Sequence, residues 1–277
     1  RSLAEAALKY YDLSLRDVKT LQNEPVDSYK EILMAGYDPA YQPTLYDLLA
    51  NRAVAYYASD YNVHSLPQDA FVINNPDYFA GAQAFSKLAI QTGDTLSPMY
   101  LSLKTYQELL RFHLDKSNFG SLFGKANDDV TALVEIDLRR MAYLKDKGRY
   151  ADNDKMYEKA LLDMSEAYKP YDRNAAVLLQ LGGFYLNMGA KWRNDKNEEN
   201  KAGYTKAYEM YERITKEYPD QLSSNAEALR GNILYRELGI KFEATQLPGK
   251  PFLALLNYRN MNALYRIVYK LTKDQAI

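Results

Sequence analysis

Cysteine does not occur anywhere in the 277 residues, which excludes disulfide staples, thiol nucleophiles and thiolate metal sites from this stretch. Only two histidines are present, His64 and His113. Neither has a second histidine or a carboxylate at ligand spacing, so the sequence argues for no metal and no cofactor. Neither sign of charge prevails: 35 basic residues face 36 acidic ones, and no basic block breaks the balance. The electrostatic footprint of a nucleic-acid binder is therefore missing. No apolar run approaches the roughly 18 residues that a membrane span needs. Gly182-Gly183 follows no strand and lacks a phosphate-loop lysine, so close helix packing explains it better. No nucleophile-elbow pattern accompanies the serines. Asp152, Asp154 and Asp163 fit a helix cap and an exposed face better than carboxylate chemistry. The expectation is a protein without catalytic activity of its own.

What the chain has in excess is tyrosine, 26 residues against one Trp and nine Phe. An apolar body with a polar tip suits half-buried helix interfaces, and that reading outweighs a carbohydrate-stacking surface. Helical periodicity dominates. Leu178, Leu181, Gly182, Tyr185 and Met188 share one helical face, opened by Asn174 as a cap. After a polar turn, Tyr204, Ala207, Tyr208, Tyr211, Ile214 and Tyr218 share another, and Pro219 stops the run. The two stripes can be buried against each other, with Gly182 expected to face Ala207.

Further helices are expected from Ser2 through Leu15, from Ser28 through Leu33, and over Leu45 to Tyr57 behind a Thr44–Asp47 cap. Others should run from Asp77 to Ile90, from Ser97-Pro98 past His113, from Asp129 to Lys147, and from Asn153 past Ala167. A last one should run from Ser224 to Gly239. Residues 61–77 read mostly as loop. Helix signals then stop, and Pro248-Gly249 marks a turn. Phe252 to Tyr258 and Ala263 to Leu271 read as two strands joined by a tight turn. The fold class is mainly α: a helical-hairpin, tetratricopeptide-like solenoid followed by a short β segment. The division expected is 1–240 for the helical repeat domain and 241–277 for the truncated start of a β-sandwich.

The only tryptophan, Trp192, lies with Lys191 and Arg193 in the polar segment between the two central helices. Long connections in compact folds are often functional, so these three residues are the candidate partner-binding group. Packing of Trp192 back onto the repeat is the weightier competing reading.

Two resemblances sharpen the expectation. Leu181-Gly182, Tyr185, Ala207, Tyr211 and Pro219 resemble a tetratricopeptide repeat, although the segment from Gly189 to Lys201 is about a dozen residues longer than that family's turn. Most of the chain resembles the N-terminal helical region of bacterial α2-macroglobulin-like proteins. The residues that carry this are Thr44-Leu45-Tyr46-Asp47-Leu48-Leu49-Ala50-Asn51-Arg52-Ala53, Tyr106-Gln107-Glu108-Leu109-Leu110-Arg111-Phe112-His113, and Phe252 through Leu271. The last stretch is similar to the opening strands of that family's first macroglobulin sandwich. Members act as protease traps: a bait segment is cut, the molecule collapses around the attacker, and in many a Cys–Gln thioester captures it. The resemblance implies a non-catalytic N-terminal scaffold in a periplasmic or outer-membrane setting. Its partners would be proteins, namely the remaining parts of the parent chain, proteases or envelope proteins. The opening residue Arg1 fits a processed product, with any signal peptide or lipid anchor upstream. The alternative is a helical-repeat glycan-binding protein of the outer membrane, a class that also uses tetratricopeptide-type helices and aromatic residues.

Overall fold

The computed structural model describes residues 2–33, 36–59, 70–117, 130–192, 200–245 and 249–267. Among them lie ten α-helices, two 3-10 turns and two strands. The first half carries α1 (Ser2–Ser14), α2 (Val18–Asn23), α3 (Leu45–Tyr57), α4 (Ala82–Lys87) and α5 (Pro98–Ser117). The second half carries α6 (Thr131–Lys147), α7 (Asn153–Ala167), α8 (Asn174–Lys191), α9 (Gly203–Glu217) and α10 (Ser223–Leu234). Strands β1 (Glu237–Phe242) and β2 (Ala254–Arg259) follow. The chain is mainly helical, as the periodicity requires.

Local chemistry sets the helix ends. Thr44 accepts from the Asp47 amide and Asp47 accepts from the Thr44 amide, a complete capping box for α3. Asp152 caps α7 by accepting from the Lys155 amide. Other starts differ from the sequence reading. Arg173 takes the cap position of α8, which frees the buried Asn174 to donate its amide N–H to the Tyr218 hydroxyl at 3.0 Å. Instead of one helix from Asp77 to Ile90 there is a 3-10 turn at Pro76–Phe79 and then α4, because Ala80 and Gly81 are extended (ψ 155° and 158°). The segment expected as a helix through Leu33 holds only a 3-10 turn, Val26–Tyr29.

From α4 to α10 each helix packs on the next, while α1 packs on α3 and α3 on α5, and one apolar cluster runs from Tyr46 in α3 to Ala226 in α10. Among the described residues eleven tyrosines are buried, of 26 in the sequence, so interface filling accounts for a large part of the tyrosine excess. Two of their hydroxyls donate at the margins, Tyr185 to Glu158 Oε1 at 2.8 Å and Tyr218 to the Lys169 carbonyl at 2.9 Å. The most extensive helix contact joins α8 and α9. It is closest at glycines, though not at the expected pair. A Cβ on Gly203 would lie 2.3 Å from the Gly189 nitrogen and 2.6 Å from the Tyr185 carbonyl oxygen. Gly182 instead lies against the ring of Tyr211, 2.4 Å from such a Cβ, so the aromatic ring fills the space that Ala207 was expected to fill.

A buried polar knot ties α6 to the segment ahead of α4. Arg140 in α6, fully buried, bonds Asp137 and the carbonyls of Tyr78 and Ala80, and its guanidinium lies 4.3 Å from the Phe85 ring centroid. Those bonds hold the irregular 78–82 stretch onto α6 and satisfy carbonyls that would otherwise be buried without partners.

The strands are not the pair expected. β1 occupies Glu237–Phe242, where a helix had been expected to run on to Gly239, and the boundary expected at residue 240 falls inside it. β2 starts two residues into the expected Phe252–Tyr258 run and ends one residue beyond it, while Ala263 to Ile267 is irregular and residues 268–271 lie outside the described residues. The physical reason is register: β1 alternates Leu238, Ile240 and Phe242 with Glu237, Gly239 and Lys241, a period-2 pattern that a helix would scatter around its circumference.

Candidate interaction surface

The register of the hairpin sorts its side chains. Leu238 pairs with Tyr258, Ile240 with Leu256 and Phe242 with Ala254, so these six residues share one face of the sheet. The opposite face carries Glu237, Gly239, Lys241, Leu255, Asn257 and Arg259. β2 alone, with its consecutive leucines, suggests two apolar faces; paired with β1 it is amphipathic, with Leu255 the exception. Among the described residues only Phe252 and the 261–264 segment lie against the apolar face, and it stays largely exposed. Leu238, Ile240 and Leu256 are 41–46% exposed, Phe242 is 58% and Tyr258 is 68%. Beside it, Leu238, Leu256, Tyr258 and Met261 to Leu264 line a notch of about 150 Å³. Contiguous apolar exposure of this kind marks interaction sites.

The hairpin is fixed to the helices by polar bonds. Arg259 donates to the Asn232 carbonyl at 2.8 Å, and Asn260 donates to the carbonyls of Ile233 and Tyr235 at 2.7 and 2.9 Å. These carbonyls belong to the end of α10, whose last oxygens lack intrahelical partners. Asn260 adopts φ +53°, a left-handed conformation that Asn tolerates better than most residues, and this turns the chain back toward the helix end. The apolar face is thus presented in a defined orientation.

The expected partner-binding group is only partly placed. Lys191 is the exposed last residue of α8, and Trp192, half-buried, forms its C-terminal cap through its backbone N–H to the Gly189 carbonyl. Arg193 lies outside the described residues. Beside Lys191 stands Lys145, at the end of α6, whose ammonium is 5.9 Å from the ring centroids of both Tyr157 and Phe184. Burial, and secondarily the charge of Lys191, hold the Lys145 pKa below its usual value, while Asp154 pairs with it. This is a cation packed into a helix interface.

Sequence reading missed a buried hydrogen-bonded pair. His113 in α5 places Nε2 2.6 Å from Asp47 Oδ1 in α3, and the two side chains are 6% and 0% exposed. The other Asp47 oxygen accepts from the Thr44 amide and hydroxyl at 3.0 and 2.7 Å. One carboxylate therefore closes the cap of α3 and docks α5. The capping signature revealed half of this, but the partner 66 positions away left no local trace. Ser117 Oγ donates to the His113 backbone carbonyl, so the nearby hydroxyl is committed to the backbone and not to the imidazole. Histidine 64 lies outside the described residues. Among the described residues no three His, Asp or Glu converge on a metal-sized site, and no helix is long and apolar enough to cross a membrane.

Comparison of the chain with protein-family models, with curated proteins and with solved structures finds no match.

Proposed function

We propose that this chain is a non-catalytic scaffold and protein-interaction region of an α2-macroglobulin-like, protease-trapping protein of the bacterial cell envelope. In this reading the helices form a tetratricopeptide-like solenoid that carries the hairpin, and the hairpin's apolar face packs against the β-rich remainder of the parent polypeptide. The single observation that supports it is the exposed face of Leu238, Ile240, Phe242, Leu256 and Tyr258, anchored to α10 by Arg259 and Asn260. A two-stranded sheet is marginal in water, and a further sheet is the natural cover for such a face. The resemblance of Phe252 through Leu271 to the opening strands of a macroglobulin sandwich points the same way. With no cysteine in this stretch, any thioester chemistry belongs elsewhere in the parent protein.

The test is an antibody raised against this chain and used on fractionated cells. The reading requires a polypeptide several times the chain's 31.8 kDa, in the envelope fraction, that gains mobility when a protease cuts its bait. A product of about the chain's own mass in the cytosolic fraction, unaltered by protease, overturns it.

A further inference from the structure

The hairpin has edges as well as faces. Glu243 donates its backbone N–H to the Leu253 carbonyl at 3.3 Å, which makes that position a hydrogen-bonded pair of the ladder. Such pairs alternate along antiparallel strands, so the register gives the remaining bonds to Lys241–Leu255, Gly239–Asn257 and Glu237–Arg259. Leu238, Ile240 and Phe242 therefore turn their N–H and C=O groups away from β2. Among the described residues the sheet ends there, with no third strand and no backbone bond beyond it. An open edge of this kind is a template for another strand. The outer edge of β2 is open too, but its end is held by α10 through Arg259 and Asn260, and the strand carries no second charge.

The side chains of β1 decide which strand fits. Its only charges are Glu237 and Lys241, both on the polar face and placed symmetrically about Gly239. A second β1, antiparallel and centred on Gly239, sets Glu237 opposite Lys241 of the copy and Lys241 opposite its Glu237. The same register pairs Leu238 with Ile240 and Ile240 with Leu238, the residues whose backbone groups point outward. Hydrogen-bond parity and charge thus agree. Gly239 meets itself at the axis with no side chain to crowd it. Neighbouring registers do worse: centring on Ile240 opposes Glu237 to Glu243, and centring on Lys241 opposes two lysines. Opposite charges facing each other across strands favour pairing, and like charges oppose it.

We infer that β1 pairs with β1 of a second copy of this chain, antiparallel about Gly239, joining two hairpins into one continuous sheet. The contact uses the same patch on both copies, so it closes on itself as a dimer. It consists of about four backbone hydrogen bonds and the two symmetry-related charge pairs. So small a contact is weak, and the pair dissociates in dilute solution. It uses the hairpin's edge and not its apolar face, and its failure would leave the envelope-scaffold reading untouched.

The chain has no cysteine, so one introduced thiol is a clean reporter of the pairing. Residues facing each other in a non-hydrogen-bonded pair have Cα atoms about 4.5 Å apart, within disulfide reach. Gly239→Cys is sterically benign, since a Cβ there meets nothing nearer than Asn257 Cβ at 3.8 Å. Under mild oxidation the Gly239→Cys chain should form a disulfide-linked dimer faster than Leu255→Cys, an exposed control on β2. Sedimentation of the unaltered chain from micromolar to millimolar concentration should show a monomer–dimer equilibrium. Glu237→Lys and Lys241→Glu each turn both charge pairs repulsive and should weaken that dimer about tenfold. Mixing these two variants should restore it, because the copies then carry opposite charges at both pairs. A chain that stays monomeric throughout, equal cross-linking at the two cysteines, or variants that do not recover on mixing overturns the inference. Self-association that ignores the charge variants but is lost with Ile240→Lys and Leu256→Lys together would lie on the apolar face, and that also overturns the edge pairing.

Discussion

Replacing Gly203 with alanine should be the most damaging single-methyl change in the α8–α9 pair. The added carbon would sit 2.3 Å from the Gly189 nitrogen, 2.6 Å from the Tyr185 carbonyl oxygen and 2.7 Å from Gly189 Cα. All three are backbone atoms of α8, so no rotamer can move aside and the two helices must separate. Overpacking of this kind costs about 2–3 kcal/mol, at the upper end of the usual range. For a domain of this size that lowers the melting temperature by roughly 4–12 °C. Two neighbouring glycines supply internal controls. At Gly182 the new carbon meets only the ring of Tyr211, and helix propensity offsets part of the strain, so the loss should be smaller. At Gly183 nothing lies within 4 Å. There Ala gains up to about 1 kcal/mol of propensity and should raise the melting temperature by about 2–4 °C. Calorimetry of Gly203→Ala, Gly182→Ala and Gly183→Ala should rank them in that order from least to most stable. A Gly203→Ala protein that melts at or above the parent would refute the close approach.

His113→Leu leaves the Asp47 carboxylate buried without its imidazole partner and should cost about 3–5 kcal/mol, read from the urea midpoint; an unchanged midpoint would show that the pair contributes nothing. Ile240→Lys together with Leu256→Lys should reduce binding of an apolar dye such as anilinonaphthalene sulfonate and leave helical melting within about 1 °C, since exposed substitutions seldom exceed 0.5 kcal/mol; a large drop in melting temperature would mean that the face is already packed in the free chain. Burial raises Tyr57 and Tyr143 to about 12 and pushes Tyr46 and Tyr106 up further. Their folded values exceed the unfolded value near 10, so this contribution to stability is complete below about pH 10 and is lost as pH climbs toward and past 12. Absorbance near 295 nm should therefore show two classes of tyrosine, the later one coincident with loss of helical signal; a single transition near pH 10 with helix retained would contradict it.

The sequence carried the helices well where an apolar stripe ran for four turns, as along α8 and α9, or where a capping box opened a long stripe, as at Thr44–Asp47, but not from Ser28, where only a 3-10 turn forms. It failed where the outcome depended on distant partners. The extended Ala80 and Gly81 broke the helix expected from Asp77, and only Arg140, about sixty residues on, explains how the freed carbonyls of Tyr78 and Ala80 are satisfied. β1 was hidden because Leu234 and Leu238 lie four apart and mimic a helical stripe until β2 is set beside it. The amphipathic character of the hairpin is likewise a property of the pair: Leu253 to Leu256 reads as wholly apolar until Gly239 and Lys241 are placed across from Asn257 and Leu255. The Asp47–His113 contact joins residues from separate helices and left no spacing to read.

The account's central claim is that the hairpin face is covered in the parent protein, and amide hydrogen exchange at Glu237–Phe242 and Ala254–Arg259 tests it most directly. In this chain alone those amides should exchange fast, because two exposed strands protect little. In the full parent protein they should slow by on the order of a hundredfold, while the amides of α8 and α9 keep the same rates in both. Equal exchange in the two proteins would contradict the claim.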